Sequence, residues 1–270
     1  IIPVEVITEI IGAAEEYLAE LRSMGINIML AGGETADTGD LVRTIVVDAS
    51  VSCRMPRNNA IHGDLLADGD VIIGLASDGR ATYESDYNSG IGSNGLTSAR
   101  HDTFQKNIAE KFPESYDQGI PEELVYSGSL SLIEKIKIDN YEEEGSVISL
   151  NTAQLLLSPS RTYFPVIREI LLAHRPFIHA MVHNTGGGQT KVLNYIHGLR
   201  IVKDNMFPIP QVFKMIKNQS NTSWKDMFSI FNMGHRFEIY TKAEHADQMI
   251  AISKSFGVDA KIIGYVENTA

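Results

Sequence analysis

The sequence predicts an α/β (α+β) fold in which helices pack on a mixed β-sheet. Short apolar, β-branched runs such as residues 71–76 and 260–266 are typical of strands. Segments with apolar residues at helical spacing, such as residues 166–174 and 243–256, lie between such runs. Strands that alternate with helices indicate helices layered on a sheet, and 270 residues suffice for one large domain or two modest ones.

The same alternation runs along the rest of the chain. Predicted helices cover residues 4–24, which Gly25 ends, and then 96–112, 129–136, 166–174, 190–197, 210–217 and 243–256. Predicted strands cover residues 26–31, 44–52, 71–76, 178–182, 199–202, 236–240 and 260–266, and Cys53 is interpreted as a strand residue. Residues 142–144 are interpreted as a solvated turn. We expect residues 1–55 to be the last part of one domain and residues 56–270 to form a second, complete domain.

Composition excludes several classes of partner. A net charge of −11 without a basic stripe argues against nucleic acid, although a phosphorylated small molecule stays compatible with it. A single cysteine cannot form an internal disulfide, which fits a reducing cytosol and predicts a cytoplasmic protein. No apolar run approaches the roughly 20 residues that span a bilayer, so no membrane partner is expected.

A glycine triplet, residues 186–188, is the most informative loop of the chain. It follows His183 and Thr185 and precedes the helix predicted from about Thr190. Glycines allow a ligand to approach the backbone, and the first turn of a helix attracts phosphate. The alternative is a flexible turn in which His183 bonds a backbone carbonyl.

A second loop, Gly32-Gly33-Glu34-Thr35, puts a carboxylate and a hydroxyl after two glycines at a predicted strand end. A carboxylate is a hard ligand and an acceptor, so Glu34 suits Mg²⁺ or a substrate amide. The alternative is a tight turn with a surface glutamate.

Three further positions carry polar groups suited to a ligand. Residues 93–95 (Ser93, Asn94 and Gly95) precede a predicted helix and would bind an anion or cap that helix. Arg161 offers a planar fork for phosphate or carboxylate, or a structural salt bridge. Asn232 both donates and accepts, as amide recognition requires, or is simply a turn residue.

In their order along the chain, these loops resemble those of the aminoimidazole ribonucleotide synthetases, also called phosphoribosylformylglycinamidine cyclo-ligases. The resemblance rests on Gly-Gly-Glu-Thr-Ala (32–36), the Gly-Asp strand and its turn (69–79), Ser-Asn-Gly (93–95), Pro-Ser-Arg-Thr-Tyr (159–163), His-Asn-Thr-Gly-Gly-Gly (183–188), Phe-Asn-Met-Gly (231–234) and the last strand (262–266). These motifs span nearly the whole chain.

The resemblance implies an enzyme of de novo purine biosynthesis that uses ATP and Mg²⁺. Such a ligase phosphorylates the amide oxygen of formylglycinamidine ribonucleotide and closes the ring to aminoimidazole ribonucleotide. It implies that Glu34 and Asn232 serve catalysis, Glu34 also as a metal ligand. It further implies a homodimer and a substrate-phosphate site at Gly32, Gly33, Thr35, Ser93, Asn94, Gly95, Arg161, His183, Thr185, Gly186, Gly187 and Gly188.

The chain departs from the family pattern at several places. Ile91-Gly92 replaces a Pro-His pair, with His101 as a speculative substitute, and Ser229-Ile230 replaces Arg-Thr. The loop over residues 80–90 is longer than usual, which would bring Tyr83, Glu84 and Tyr87 to the pocket.

The family's Asp-Gly-x-Gly-Thr-Lys loop and Asn-Asp element do not occur in this sequence. Residues 1–55 are therefore expected to end an ATP-binding, dimerising domain, and the chain alone is expected to be inactive. The alternatives are another ATP-dependent synthetase, similar to formylglycinamidine ribonucleotide synthetase, and a non-catalytic nucleotide-binding regulatory protein.

Overall fold

The computed structural model describes residues 2–36, 39, 45–139 and 147–269. It divides into two compact units. One unit comprises Ile1–Ala60 with Thr162–Glu169, and the other comprises Ile61–Arg161 with Ile170–Ala270. The predicted domains remain a prediction.

Helices and strands follow one another along the described residues. The helices are α1 (Val4–Ser23), α2 (Leu96–Thr103), α3 (Asn107–Lys111), α4 (Thr152–Leu156), α5 (Phe164–His174), α6 (Gln211–Gln219), α7 (Trp224–Ile230) and α8 (Ala243–Ser255). The strands are β1 (Asp70–Ala76), β2 (Lys135–Asp139), β3 (Val147–Asn151), β4 (Ile178–His183), β5 (Leu199–Val202), β6 (His235–Lys242) and β7 (Ala260–Asn268). Among these helices, none is long and apolar enough to cross a membrane.

In the first unit, the predicted helix is confirmed and the predicted strands are wrong. Helix α1 ends where Gly25, at φ +82°, donates its N–H to the carbonyl of Arg22. Residues 26–31 and 45–52 form no strand, and Cys53 lies in irregular, exposed chain. Thr44 lies outside the described residues. A β-branched run becomes a strand only when a neighbour completes its hydrogen-bond ladder, and no ladder forms on these residues in the described chain.

The main sheet of the second unit has the order β4-β6-β1-β7-β5, and every neighbouring pair is antiparallel. The predicted mixed sheet is therefore wrong. The helical link α8 does give β6 and β7 the same direction. However, β1 inserts between them and pairs antiparallel with both, so the two parallel strands never touch.

Most predicted elements of the second unit are confirmed, but those at residues 96–112 and 129–136 are wrong, and the helix predicted at residues 190–197 is a 3-10 helix over Gly188–Asn194. The predicted helix over residues 96–112 breaks into α2 and α3, because Phe104 is extended and forms a bridge with Leu130. The predicted helix at residues 129–136 is replaced by β2, which pairs with β3. Lysine and isoleucine alternate over residues 135–138, a period of two that is typical of a strand. The turn predicted at residues 142–144 lies outside the described residues.

Two apolar clusters hold the second unit together. One contains Leu155, Phe213 and Met227, and the other packs Ile72 and Ile263 on the main sheet. Both groups are almost completely buried. Such close-packed interiors resist displacement, so the loops at the ends of β1, β4 and β6 start from fixed positions.

Candidate functional site

A polar cleft lies where three loops meet: the loop before α2, the loop after β4 and the loop between α7 and β6. Its lining includes Ser93, Asn94, Thr185 and Asn232, all candidates from the sequence. The cleft has a volume of about 10 Å³. A cavity of this size holds roughly one water molecule. The cleft thus admits one water-sized group, and most of a larger ligand would lie outside it.

The loop before α2 is built differently from the expected helix cap. Gly95, at φ +74°, occupies the N-cap position, and no side chain caps the helix. Instead, Asn94 donates its side-chain amide to the carbonyl of Ile230. A side chain at Gly95 would collide with the ring of Phe231, with a closest approach of 2.6 Å. Asn94 and Gly95 therefore fasten this loop to the segment before β6.

The glycine triplet begins a 3-10 helix over Gly188–Asn194, not the α-helix predicted from Thr190. Gly188 has a φ of +49°, and a side chain there would meet the carbonyl oxygens of Phe228 and Phe231 at 2.6 Å. Around Gly186, by contrast, the nearest atom to an added Cβ is Oδ1 of Asn94 at 3.7 Å. Gly188 thus serves packing, whereas Gly186 leaves the backbone open to a ligand.

Positive charge accompanies this loop. Lys191 donates to the hydroxyl of Thr185 at 3.1 Å, and Arg236 lines the cleft. Desolvation and the charges of Arg236 and Lys191 lower the pKa of His183 to about 4. At neutral pH the imidazole is therefore uncharged, and the electrostatic field at the loop favours an anion.

Arg161 makes structural contacts in this fold, and its expected role as a phosphate ligand stays a prediction. Its guanidinium forms a two-point ion pair with Glu84 at 2.7 and 2.9 Å. Its remaining nitrogen donates to the carbonyls of Ala76 and Asp78. The side chain is completely buried, so the alternative of a structural salt bridge describes it. Glu84, which the longer loop was expected to bring to the pocket, is the partner.

Asn232 lines the cleft, but its side chain is already used within the protein. Its Oδ1 accepts from the hydroxyl of Ser77 at 2.6 Å and the N–H of Gly234 at 3.1 Å, and its Nδ2 donates to the carbonyl of Gly90 at 2.7 Å. These bonds join the end of β1 to the start of β6. These contacts agree with the alternative role, that of a residue which holds a turn, and the predicted amide recognition stays a prediction.

The loop of the predicted metal site and the cleft belong to different units of the structure. Gly32, Gly33, Glu34 and Thr35 are exposed and belong to the first unit, whereas the cleft belongs to the second. Within the described ranges, no three His, Cys, Asp or Glu side chains form a group that could hold a metal ion. The described residues therefore give no ligand set for Mg²⁺, and Glu34 as its ligand stays a prediction.

Arg236 is a cleft residue that was not expected from the sequence. It is 2% exposed and donates from Nη2 to the carbonyl of Gly90 at 2.8 Å. Its guanidinium fills the space beside Gly92, where the family pattern has histidine. The speculative substitute, His101, is buried elsewhere and accepts from the N–H of Tyr126 at 3.2 Å. The feature of the sequence that could have indicated Arg236 is the glycine at position 92. Because glycine has no side chain, it leaves space for a large neighbouring side chain.

Behind the cleft, a buried carboxylate gathers four donors. Glu238 on β6 accepts from Lys203 at 2.5 Å, His235 at 2.9 Å, Tyr240 at 2.6 Å and the side chain of Asn184 at 2.7 Å. Burial alone would raise the pKa of Glu238, but the charge of Lys203 and the bond from His235 outweigh it and lower the pKa to about 2. The group therefore stays ionised and anchors the start of the glycine loop.

Fold and cleft together define an α+β domain whose antiparallel sheet carries a glycine-rich, electropositive loop at the edge of a narrow polar cleft. Residues 127–270 match the family described as AIR synthase related protein, C-terminal domain, and the chain belongs to this family. The resemblance found in the loop motifs is thereby confirmed.

Similar curated proteins agree with this assignment. The chain is 29% identical over 98% of its length to the phosphoribosylformylglycinamidine cyclo-ligase of Methanococcus vannielii, and 28% identical over 95% to that of Methanocaldococcus jannaschii. It is 30% identical over 90% of its length to the same enzyme of Thermoplasma acidophilum. The chain spans 63%, 63% and 58% of the lengths of these three relatives.

Proposed function

We propose that this chain is part of an ATP-dependent cyclo-ligase that converts formylglycinamidine ribonucleotide to aminoimidazole ribonucleotide. The observation that carries the proposal is the similarity of 90–98% of the chain to relatives that bear the cyclo-ligase name. Phosphorylation of the amide oxygen would create the leaving group, and attack by the amidine nitrogen would close the ring. Positioning of phosphorylated ligands is the main physical requirement of such a reaction.

In this proposal, the glycine loop binds the phosphate of the substrate. The open backbone at Gly186, the hydroxyl of Thr185 and the charges of Lys191 and Arg236 support that role. Ser93 and Asn94 line the same cleft. Buried or half-buried cations beside backbone N–H groups suit a phosphate.

The remaining parts of the proposal follow from the family resemblance. ATP and Mg²⁺ are the proposed cofactors, with Glu34 as a catalytic group and metal ligand. Residues 1–55 are proposed to belong to an ATP-binding, dimerising domain and residues 56–270 to the substrate-binding domain. A cytoplasmic homodimer is the proposed state of the complete enzyme.

The activity test is ADP release with ATP, Mg²⁺ and formylglycinamidine ribonucleotide. It compares the 270-residue chain with a full-length protein that contains it. We expect ADP release that depends on formylglycinamidine ribonucleotide, and only from the full-length protein. ADP release without that substrate, or none from a folded full-length protein, would instead favour a different synthetase or a regulatory protein.

The binding test uses the chain itself and compares two matched glycines. Gly186→Ala adds a methyl group to the open face of the loop, whereas Gly12→Ala adds one to α1, where nothing lies within 4 Å of the new Cβ atom. Neither variant should lower the unfolding temperature, and Gly12→Ala should raise it slightly because alanine favours a helix over glycine. We expect only Gly186→Ala to weaken the binding of ribose 5-phosphate in calorimetry, by about tenfold. Equal affinities of the two variants would contradict the phosphate role.

A further inference from the structure

Asn184 is a buried residue, and one of the two polar atoms of its side-chain amide has no hydrogen-bond partner among the described residues. It follows β4 directly, lines the cleft and is 2% exposed. Its backbone N–H donates to the carbonyl of Arg236 at 2.6 Å, and its Nδ2 donates to Glu238 at 2.7 Å. Its Oδ1 has no hydrogen-bond partner within the part of the chain that the structure describes. Native proteins rarely leave a buried acceptor in this condition, so a partner from outside the protein is implied.

The orientation of this amide is imposed by its surroundings. Glu238 is fully buried and ionised, and a carboxylate only accepts hydrogen bonds. Lys203 and His235 approach the same carboxylate oxygen as Asn184, at 2.5 and 2.9 Å. An amide turned the other way would place its carbonyl oxygen against that carboxylate, a repulsive contact. The NH₂ group must therefore face Glu238, which leaves Oδ1 as the unpartnered end of a residue that lines the cleft.

The cleft selects the chemistry of the group that meets Oδ1. The cleft holds about one water-sized group. Asn184 requires a donor there, and the guanidinium of Arg236 at the same cleft favours an oxygen with lone pairs. An amidinium or ammonium group would be repelled by Arg236, and a dianionic phosphate has no hydrogen to donate. A hydroxyl satisfies both residues.

We propose that Asn184 is a recognition residue that accepts a hydrogen bond from a sugar hydroxyl of the phosphorylated ligand. Glu238 acts as a positioning residue, because it fixes the amide with Oδ1 toward the cleft. The inference that the ligand carries a phosphate depends on the proposed function. The inference of a hydroxyl contact depends instead on the unsatisfied Oδ1 of Asn184. A single bound water is the competing occupant.

The test compares three sugar phosphates on the 270-residue chain: ribose 5-phosphate, 2-deoxyribose 5-phosphate and 3-deoxyribose 5-phosphate. We expect the wild type to bind the ribose compound about five- to tenfold more tightly than one of the two deoxy compounds. Asn184→Ala should reduce that ratio to about one. Asn184→Leu, which keeps most of the side-chain volume, provides the same test if the alanine variant is unstable.

A control variant separates recognition from general destabilisation. Thr241→Val removes another buried hydrogen bond of β6, the one from its hydroxyl to the carbonyl of Phe177 at 2.7 Å, and should keep the wild-type ratio. Because each ratio of affinities is measured within one protein, it does not depend on the fraction of molecules that is folded.

The hydroxyl contact and the phosphate site would fail with different results. If the wild type binds all three compounds equally, or Asn184→Ala keeps the preference, the hydroxyl contact is overturned and Oδ1 holds a water. If the wild type binds none of the three, the phosphate site fails together with the hydroxyl contact. A preference that Asn184→Ala and Asn184→Leu both abolish, and Thr241→Val keeps, supports the proposal.

Discussion

Gly92 and Arg236 share one space. A Cβ atom on Gly92 would lie 2.6 Å from Cζ of Arg236, and Gly92 has a φ of +62°. The absence of a side chain at position 92 and the guanidinium at position 236 are therefore complementary. The cation lost from the family pattern at Ser229-Ile230 has a counterpart in Arg236, which reaches the same cleft from β6.

The first prediction concerns this pair. Gly92→Ala should lower the free energy of unfolding by about 2–4 kcal/mol, because it combines a backbone strain with a collision. Gly79→Ala is the matched control: Gly79 has a φ of +90° and no neighbour within 4 Å, so only the backbone strain of about 1 kcal/mol remains. Urea denaturation measures both.

A double-mutant cycle can separate the collision between residues 92 and 236 from the backbone strain at position 92. In an Arg236→Ala background, Gly92→Ala should cost at least about 1 kcal/mol less than in the wild type. Strictly additive costs would mean that the two residues do not compete for the same space.

The second prediction concerns the ion pair of Arg161 and Glu84. Glu84→Gln leaves a buried guanidinium without its counter-charge and should cost roughly 3 kcal/mol in urea denaturation. The affinity for inorganic phosphate should stay within about twofold of the wild type. If Arg161 bound phosphate, releasing it from Glu84 would instead strengthen that binding, and calorimetry distinguishes the two cases.

The third prediction uses Asp78, at the turn after β1. Burial raises its pKa from 3.8 to about 6, against the opposing charge of Arg161. The folded state then holds a proton that the unfolded state has released, so stability falls as pH rises from about 4 to 6. At roughly 1.4 kcal/mol per pKa unit, the loss has an upper limit of about 3 kcal/mol.

Asp78→Asn should remove this loss. The variant should be more stable than the wild type at pH 8 by about 1–3 kcal/mol, and the difference should shrink below pH 4. The control is Asp86→Asn, since Asp86 is exposed. Thermal unfolding across this pH range provides the measurement, and a constant difference between variant and wild type would contradict the assignment.

The fourth prediction concerns Glu238, whose pKa is shifted the opposite way. Because its pKa is lowered from 4.5 to about 2, the stabilisation that it provides is complete above pH 4.5. It is lost as the pH falls toward 2. Glu238→Gln should remove this dependence and cost roughly 3–5 kcal/mol at pH 7, since Lys203 stays buried without its counter-charge.

The matched control for Glu238 is Glu267→Gln. Glu267 is half-buried and pairs with exposed Arg200 at 3.0 Å, so its loss should change stability by less than about 1 kcal/mol. Acid unfolding monitored by circular dichroism compares the two variants. Equal effects would show that the buried network adds nothing beyond an ordinary surface pair.

The sequence could single out several residues of the candidate cleft, but it could not show which contacts each of them makes. Ser93, Asn94, Thr185 and Asn232 do meet at one cleft, because each belongs to a loop with its own local signal. Asn232, however, is held by Ser77, 155 residues earlier in the sequence. Which atoms remain for a ligand depends on such distant partners, and residue type alone does not reveal them.

The sequence by itself determined the strands β1, β4 and β7, the helices α1, α5 and α8, and the family, because hydrophobic period and loop motifs are local properties. Tertiary structure alone decided that β1 separates β6 from β7 and that Arg236 fills the space beside Gly92. It also decided that the side-chain amide of Asn184 donates to the buried carboxylate of Glu238. Strand pairing, steric competition and buried charge are interactions between residues far apart in the chain, so they take effect only when the fold brings those residues into contact.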